Sequence, residues 1–322
     1  MLMKKFAKSD TDISQLGFGC WGIGKGLWVG ADDDESKKAL LRAIEQGISF
    51  FDTALAYGMG HSEKLVGEAE KQSGKTLFIA SKVPPKNRTW PAPDNSTLEE
   101  NYPKNYIIEK TEQSLKNLKR DHVDLMQFHT WNDKWSDKDE WKEAVEKLKK
   151  EGKVRFFGIS INDHQPWNGI EAGRSGLIDS YQVIFNIFDQ KPMEKLFPFC
   201  LENKIGVIAR VPFDEGALTG NIGPSTEFPV GDFRNEYFRG KRKVDVKLRT
   251  DEIWNDVKGE TGSLAEAALR FVISFEAVTS VIPGMRKEKN LAANVASVEK
   301  GPLSPKLLEE LKVHKWERNF YD

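Results

Sequence analysis

The stretch ISFFD, residues 48–52, is an apolar run that ends abruptly in a carboxylate. Its hydrophobic residues are continuous rather than alternating, the pattern of a strand buried on both faces, as in a parallel sheet. The same pattern recurs in TLFIA (76–80), VDLMQF (123–128), VRFFGI (154–159), SYQVIF (180–185), IGVIA (205–209) and TSVI (279–282). LGFGCWGIG (16–24) reads as a first strand opened by glycines, which makes eight.

Amphipathic segments fall between these runs. ESKKALLRAIEQG (35–47) places Ala39, Leu40, Ala43 and Ile44 on one face and ends in Gly47, a natural helix stop. Further helices are expected over 62–74, 106–120, 139–152, 193–204, 263–275 and 287–298, with an extra one over 304–317. Residues 163–176 read less clearly as a helix. Strand–helix alternation repeated eight times predicts an α/β fold, a single-domain (β/α)8 TIM barrel spanning 1–322. A doubly wound open sheet is the alternative. GFGCWG (17–22) superficially matches its glycine fingerprint, but GKGLWVGADDD intervenes where a helix should begin. Two segments exceed simple connections, about 84–105 and 214–260. Both follow strands, so both are expected as loops on the C-terminal rim, where such loops wall a substrate site.

Composition excludes several function classes. The 48 basic residues nearly balance 49 acidic ones, so no field draws nucleic acid or an acidic membrane surface. The basic run RGKRKVDVKLR (239–249) reads as a solvated face. Cys20 and Cys200 belong to no CxxC pair and are expected as buried thiols of a reducing compartment. The N-terminus lacks a signal-peptide core, and no apolar run approaches the roughly 20 residues of a membrane span. A cytoplasmic location is therefore expected. The histidines show no metal-ligand spacing, so no metal is expected.

In a barrel the strand ends converge on one mouth. Asp52 ends the second strand and Tyr57 follows it. Lys82 ends the third, in FIASK, and His129 follows the fourth, in LMQFH. Singly, each has a bland reading as a cap, wall or rim residue. Together they suit one task, giving a proton to a carbonyl oxygen as hydride arrives at carbon. A phenol is a weak acid near neutrality, and a nearby Lys82 ammonium should lower its pKa. Asp52 would hold that ammonium charged, and His129 would hydrogen-bond the oxygen or relay a proton. A barrel aldolase or isomerase using Lys82 as Schiff-base nucleophile leaves Asp52 and Tyr57 without work.

The ordered set FDTALAYG, SEKLVGEA, IASK, LMQFH, RFFGIS, QVIFN, GVIARVPFDEGALTG and VIPGMR…LAAN resembles the aldo-keto reductase family over nearly the whole chain. The resemblance implies an NADP(H)-dependent oxidoreductase that reduces aldehydes and ketones, with Tyr57 as acid/base supported by Asp52, Lys82 and His129. It implies that Ser160, Asn162 and Gln182 hold the nicotinamide carboxamide. Arg210 stands where many members place a stacking aromatic. Pro212, Phe213, Glu215, Gly216, Leu218 and Gly220 correspond to the loop over the pyrophosphate. Gly284 and Arg286 correspond to ligands of the adenosine 2′-phosphate, helped by Lys287, which favours NADP(H) over NAD(H). Asn294 and Asn290 are expected at adenine, although relatives often differ at Asn290 and Ala293. Trp21 and Gly22 join the cofactor set. Trp28, Trp90 and Trp131 lie on rim segments and are expected to line the pocket for a small-molecule carbonyl substrate. The family also includes NADP(H)-binding subunits that regulate partner proteins, which is the alternative reading.

Overall fold

A computed structural model describes residues 1–319. An antiparallel hairpin, β1 (Met3–Lys5) and β2 (Asp12–Ser14), precedes the barrel. The barrel strands are β3 (Phe18–Gly19), β4 (Phe50–Asp52), β5 (Phe78–Val83), β6 (Val123–Phe128), β7 (Val154–Ser160), β8 (Ser180–Ile184), β9 (Gly206–Arg210) and β10 (Val278–Val281). Each pairs in parallel with its successor, giving one eight-stranded sheet. Parallel bridges Leu16–Val281 and Gly19–Gly284 join its two edges and close the cylinder. The expected TIM barrel is the observed fold. One apolar core layer runs from Leu16 to Leu311, between strands and helices.

The glycines of GFGCWG serve this closure and not a nucleotide fingerprint. The Gly19 N–H donates to the Pro283 carbonyl at 3.0 Å. A Cβ on Gly19 would lie 2.6 Å from the Ile282 carbonyl oxygen. Only a bare backbone fits that approach. The run expected as a strand over 16–24 is correspondingly short, and Trp21–Ile23 form a single 3-10 turn.

Helices cover the outside at the expected places, including Asp33–Glu45, His61–Ser73, Lys104–Leu118, Asp139–Lys150 and Glu288–Glu299. Between β7 and β8 only one turn forms, Ile170–Gly173. The 214–260 segment departs from a plain loop. It contains a 16-residue helix, Arg242–Val257, that buries Val246, Thr250, Ile253 and Val257. Those positions have helical spacing, which the dense charge of 239–249 obscured. No helix among the described residues is long and apolar enough to cross a membrane.

The hairpin seals the N-terminal end of the barrel. Phe6 and Ile13 pack against Phe50, Phe78, Leu125 and Ile208, and Phe6 lies 4.9 Å from Phe78, ring to ring. Access is thereby left to the opposite end, where the strands finish. Closure depends on the close approach at Gly19. The variant Gly19→Ala is therefore expected to lose about 1–3 kcal/mol of stability, read as a lowered urea midpoint. An unchanged midpoint would contradict this account of closure.

Candidate active site

Asp52 ends β4, Lys82 lies near the end of β5, and His129 immediately follows β6. Tyr57 sits on the turn after β4, its N–H donating to the Ala54 carbonyl at 3.0 Å. The structure brings all four together at the C-terminal mouth. Lys82 is fully buried and Asp52 is 2% exposed. The Lys82 ammonium donates to Asp52 Oδ1 at 2.6 Å, to the Thr53 carbonyl at 2.8 Å and to the Tyr57 hydroxyl at 3.3 Å. An ammonium has three protons, and each has an acceptor. Asp52 Oδ2 accepts from Gln182 Nε2 at 2.7 Å and, at 3.5 Å, from Gln127 Nε2. The pair is thus solvated by protein groups, the condition under which a buried ion pair is tolerated.

His129 stands edge-on to the Tyr57 ring, centroids 5.7 Å apart. Trp90, 39% exposed, packs on its other side at 5.7 Å. His129 Nδ1 is buried without a hydrogen-bond partner among the described residues.

Electrostatics assign each group a protonation state. Burial pulls the Lys82 pKa down, but Asp52 and Tyr57 together hold it above the ordinary lysine value. Burial pushes the Tyr57 phenol up, and Lys82 only partly opposes this. The expectation that Lys82 brings the phenol below its ordinary value is therefore not met: desolvation of the phenolate outweighs the attraction. Tyr57 is a protonated phenol across the neutral range. Burial, reinforced by Lys82 and Arg210, keeps His129 well below the usual imidazole range, so it is neutral.

The residues expected around a cofactor are on the same rim, several of them engaged with each other. Ser160 and Gln182 are direct cross-strand neighbours. Asn162 Oδ1 accepts from the Trp131 N–H at 3.2 Å, and its Nδ2 donates to the Trp131 carbonyl at 2.9 Å. Arg210 pairs with Asp163 and donates to the Ile161 carbonyl at 3.0 Å. After β9 the backbone is strained. Val211, Asp214 and Glu215 have φ of 54°, 47° and 54°, a region costly for a β-branched residue. Pro212 and Leu218 are buried there, Phe213, Glu215 and Gly216 are half-buried, and Gly220 is exposed. Burial, followed by Asp214, pushes the Glu215 carboxyl up to about 8.

Arg286 reaches across the closed seam, donating to the carbonyls of Gly22 at 3.3 Å and Val29 at 3.0 Å. Asn294 is 5% exposed, and its Nδ2 has no partner among the described residues. Asn290 and Gly284 are exposed.

Of the expected pocket tryptophans, Trp131 is a correction. It is fully buried between Phe128, Trp135 and Trp141, with centroids 5.1, 5.6 and 5.5 Å away. Three residues past the end of β6, the chain has already turned back into the helix layer. Trp28 sits beside Trp21 at 5.7 Å, under the Arg234 guanidinium at 4.4 Å. Arg234 and Phe233 were not anticipated. They belong to the long insertion, which reaches the first loop through the Phe233 N–H to Leu27 carbonyl bond at 2.9 Å. The aromatic clustering of 228–238 was the available signal. Gln127 as a second donor to Asp52 was also missed.

Removing Lys82 would leave Asp52 as an uncompensated buried charge. Lys82→Met is expected to destabilise the fold by about 3–5 kcal/mol. Adding Asp52→Asn should recover much of that loss in a double-mutant cycle, read by urea unfolding. Strict additivity would contradict the pairing. Because the Lys82 pKa is raised in the fold, the stabilisation from this group is complete below the unfolded lysine pKa of about 10.4 and fades as pH rises through the folded value.

Residues 15–315 match the aldo/keto reductase family. The aldo-keto reductase YhdN of Bacillus subtilis is 30% identical over 292 residues, covering 89% of this chain and 86% of its own. An Arabidopsis thaliana protein described as a probable voltage-gated potassium channel subunit beta is 28% identical, over 97% of this chain and 96% of its own. The holo structure of an aldo-keto reductase from Bacillus halodurans is similar with a TM-score of 0.76 and 26% identity, each chain covered in full. With its barrel, its strand-end residues and a family match over nearly its whole length, this chain belongs to the aldo/keto reductase family of oxidoreductases.

Proposed function

We propose that the protein reduces aldehydes and ketones to alcohols with NADP(H), and that Tyr57 gives the proton. The observation that carries this reading is the Lys82 ammonium, shared at the strand ends between Asp52 and the Tyr57 hydroxyl. A carbonyl oxygen there accepts hydrogen bonds from the Tyr57 hydroxyl and from neutral His129. As negative charge develops on that oxygen, the phenol proton moves to it. The adjacent ammonium then stabilises the phenolate left behind. At neutral pH Tyr57 carries the proton that reduction requires.

The residues fit a nicotinamide dinucleotide on one observation: the buried Asn294 amide nitrogen lacks a partner among the described residues, where adenine is expected. Ser160 would hold the carboxamide, joined by Asn162 and Gln182 once they release their present bonds to Trp131 and Asp52; the 212–220 segment would hold the pyrophosphate, and Arg286 with Lys287 the 2′-phosphate. When bound, the cofactor supplies the hydride to the carbonyl carbon. Arg286 would redirect its fork from the Gly22 and Val29 carbonyls to phosphate oxygens, a better acceptor for a guanidinium.

The likeness to the plant protein described as a potassium channel subunit carries a second reading: a nicotinamide-binding subunit of a partner protein, with slow turnover. NADPH consumption with a panel of small aldehydes separates the two. Tyr57→Phe is expected to lower kcat by about 10²–10⁴-fold while leaving the NADPH Kd, read by fluorescence, unchanged. Substantial turnover in that variant would remove Tyr57 from the role. Arg286→Ala is expected to weaken NADPH about tenfold or more and leave NADH binding unaltered; equal effects on both cofactors would contradict the 2′-phosphate assignment.

A further inference from the structure

Glu63 is a fully buried carboxyl that the proton-transfer scheme does not use. It lies in the first turn of helix His61–Ser73, just after the turn that carries Tyr57. Its Oε1 accepts from the Ser81 hydroxyl, and its Oε2 accepts from Asn117 Nδ2 at 2.7 Å. Ser81 precedes Lys82 on β5. Side chains alternate along a strand, so Lys82 points into the mouth while Glu63 grips the same strand from the helix layer. Burial pushes the Glu63 carboxyl up, and the bonds from Ser81 and Asn117 oppose this.

Its two predecessors make parallel attachments. His61 Nε2 is 2.9 Å from Asp33 Oδ1. The Ser62 hydroxyl donates to the Cys20 carbonyl at 2.9 Å and accepts from Thr53 Oγ1 at 2.8 Å. The Ser62 N–H donates to the Tyr57 carbonyl at 3.2 Å, linking this anchored triplet directly to the backbone of the tyrosine. On its other side the turn abuts the first loop. A Cβ on Gly58, whose φ is 62°, would stand 1.8 Å from the Gly24 carbonyl oxygen. The turn therefore has no slack toward that loop; toward β5 it is held at its start by the Leu55 N–H to Lys82 carbonyl bond at 3.4 Å and beyond Tyr57 by Glu63.

We infer that Glu63 is a positioning residue: by tying the start of helix His61–Ser73 to Ser81 and Asn117, it holds the Tyr57 hydroxyl within reach of the Lys82 ammonium. The inference rests on the proposed reductase reading for its kinetic readout, but not for its spectroscopic one. The Tyr57 phenol is titrated as the difference in phenolate absorbance between each protein and its Tyr57→Phe counterpart. Glu63→Ala should move that titration up, because the hydroxyl leaves the reach of the Lys82 ammonium that draws it down. It should also lower kcat about tenfold or more, with NADPH Kd changed less than about twofold. Glu63→Gln can accept from Asn117 and donate to Ser81, and should restore both readouts. If Glu63→Ala fails to fold, Ser81→Ala removes one of the two bonds and should shift both readouts in the same direction. A folded Glu63→Ala or Ser81→Ala protein with wild-type phenol titration overturns the inference, as does a parallel loss of kcat and cofactor affinity. If the wild type reduces no carbonyl, the reductase reading fails, and the titration still decides the role of Glu63.

Discussion

A lysine without solvent access is the constraint around which the mouth of this barrel is arranged. Burying its ammonium unpaired would cost several kcal/mol, a large share of a typical domain's stability margin. The surroundings answer with Asp52, the Thr53 carbonyl and the Tyr57 hydroxyl, one acceptor per proton. Asp52 in turn needs donors, which β6 and β8 supply through Gln127 and Gln182. Groups from four strands or their ends are thereby committed to one charge pair. The arrangement holds Lys82 charged and places that charge beside a phenol, the combination that makes a weak acid useful where an oxyanion forms.

The architecture divides its labour along the barrel axis. Phe6 and Ile13 close the N-terminal end with apolar packing. At the other end, polar groups tie neighbouring loops to one another: Asn162 to the segment after β6, Arg210 to Asp163, Arg286 to the first loop. Strain after β9, with Val211, Asp214 and Glu215 in the left-handed region, begins directly at the strand end and runs into the segment proposed to cover a pyrophosphate. Strained backbone of this kind persists only where its surroundings over-determine it. The buried Asp214, held by Tyr237 and Arg318, supplies that determination.

Much of this was legible in the sequence, for a physical reason. Strands buried on both faces leave continuous apolar runs, and a polar residue that ends such a run stands out. Asp52, Lys82 and His129 were found that way. Side chains whose partners come from elsewhere were harder to read. That Gln182 serves Asp52 and that Asn162 clasps Trp131 depends on distances between separate strands. Trp131 was misjudged because a strand end does not tell how soon the chain turns inward. The helix Arg242–Val257 was hidden by charge, although its apolar spacing was present. The direction of the Tyr57 shift required knowing how dry the mouth is, and no residue spacing encodes dryness.

The central claim is that one oxygen is held jointly by the groups gathered at this mouth. A crystal structure with NADP⁺ and an alcohol or unreactive carbonyl analogue tests it most directly. The account predicts the ligand oxygen hydrogen-bonded to both the Tyr57 hydroxyl and His129, with Lys82 still shared between Tyr57 and Asp52. A ligand oxygen bound away from Tyr57, or a nucleotide at the end sealed by Phe6, would contradict it.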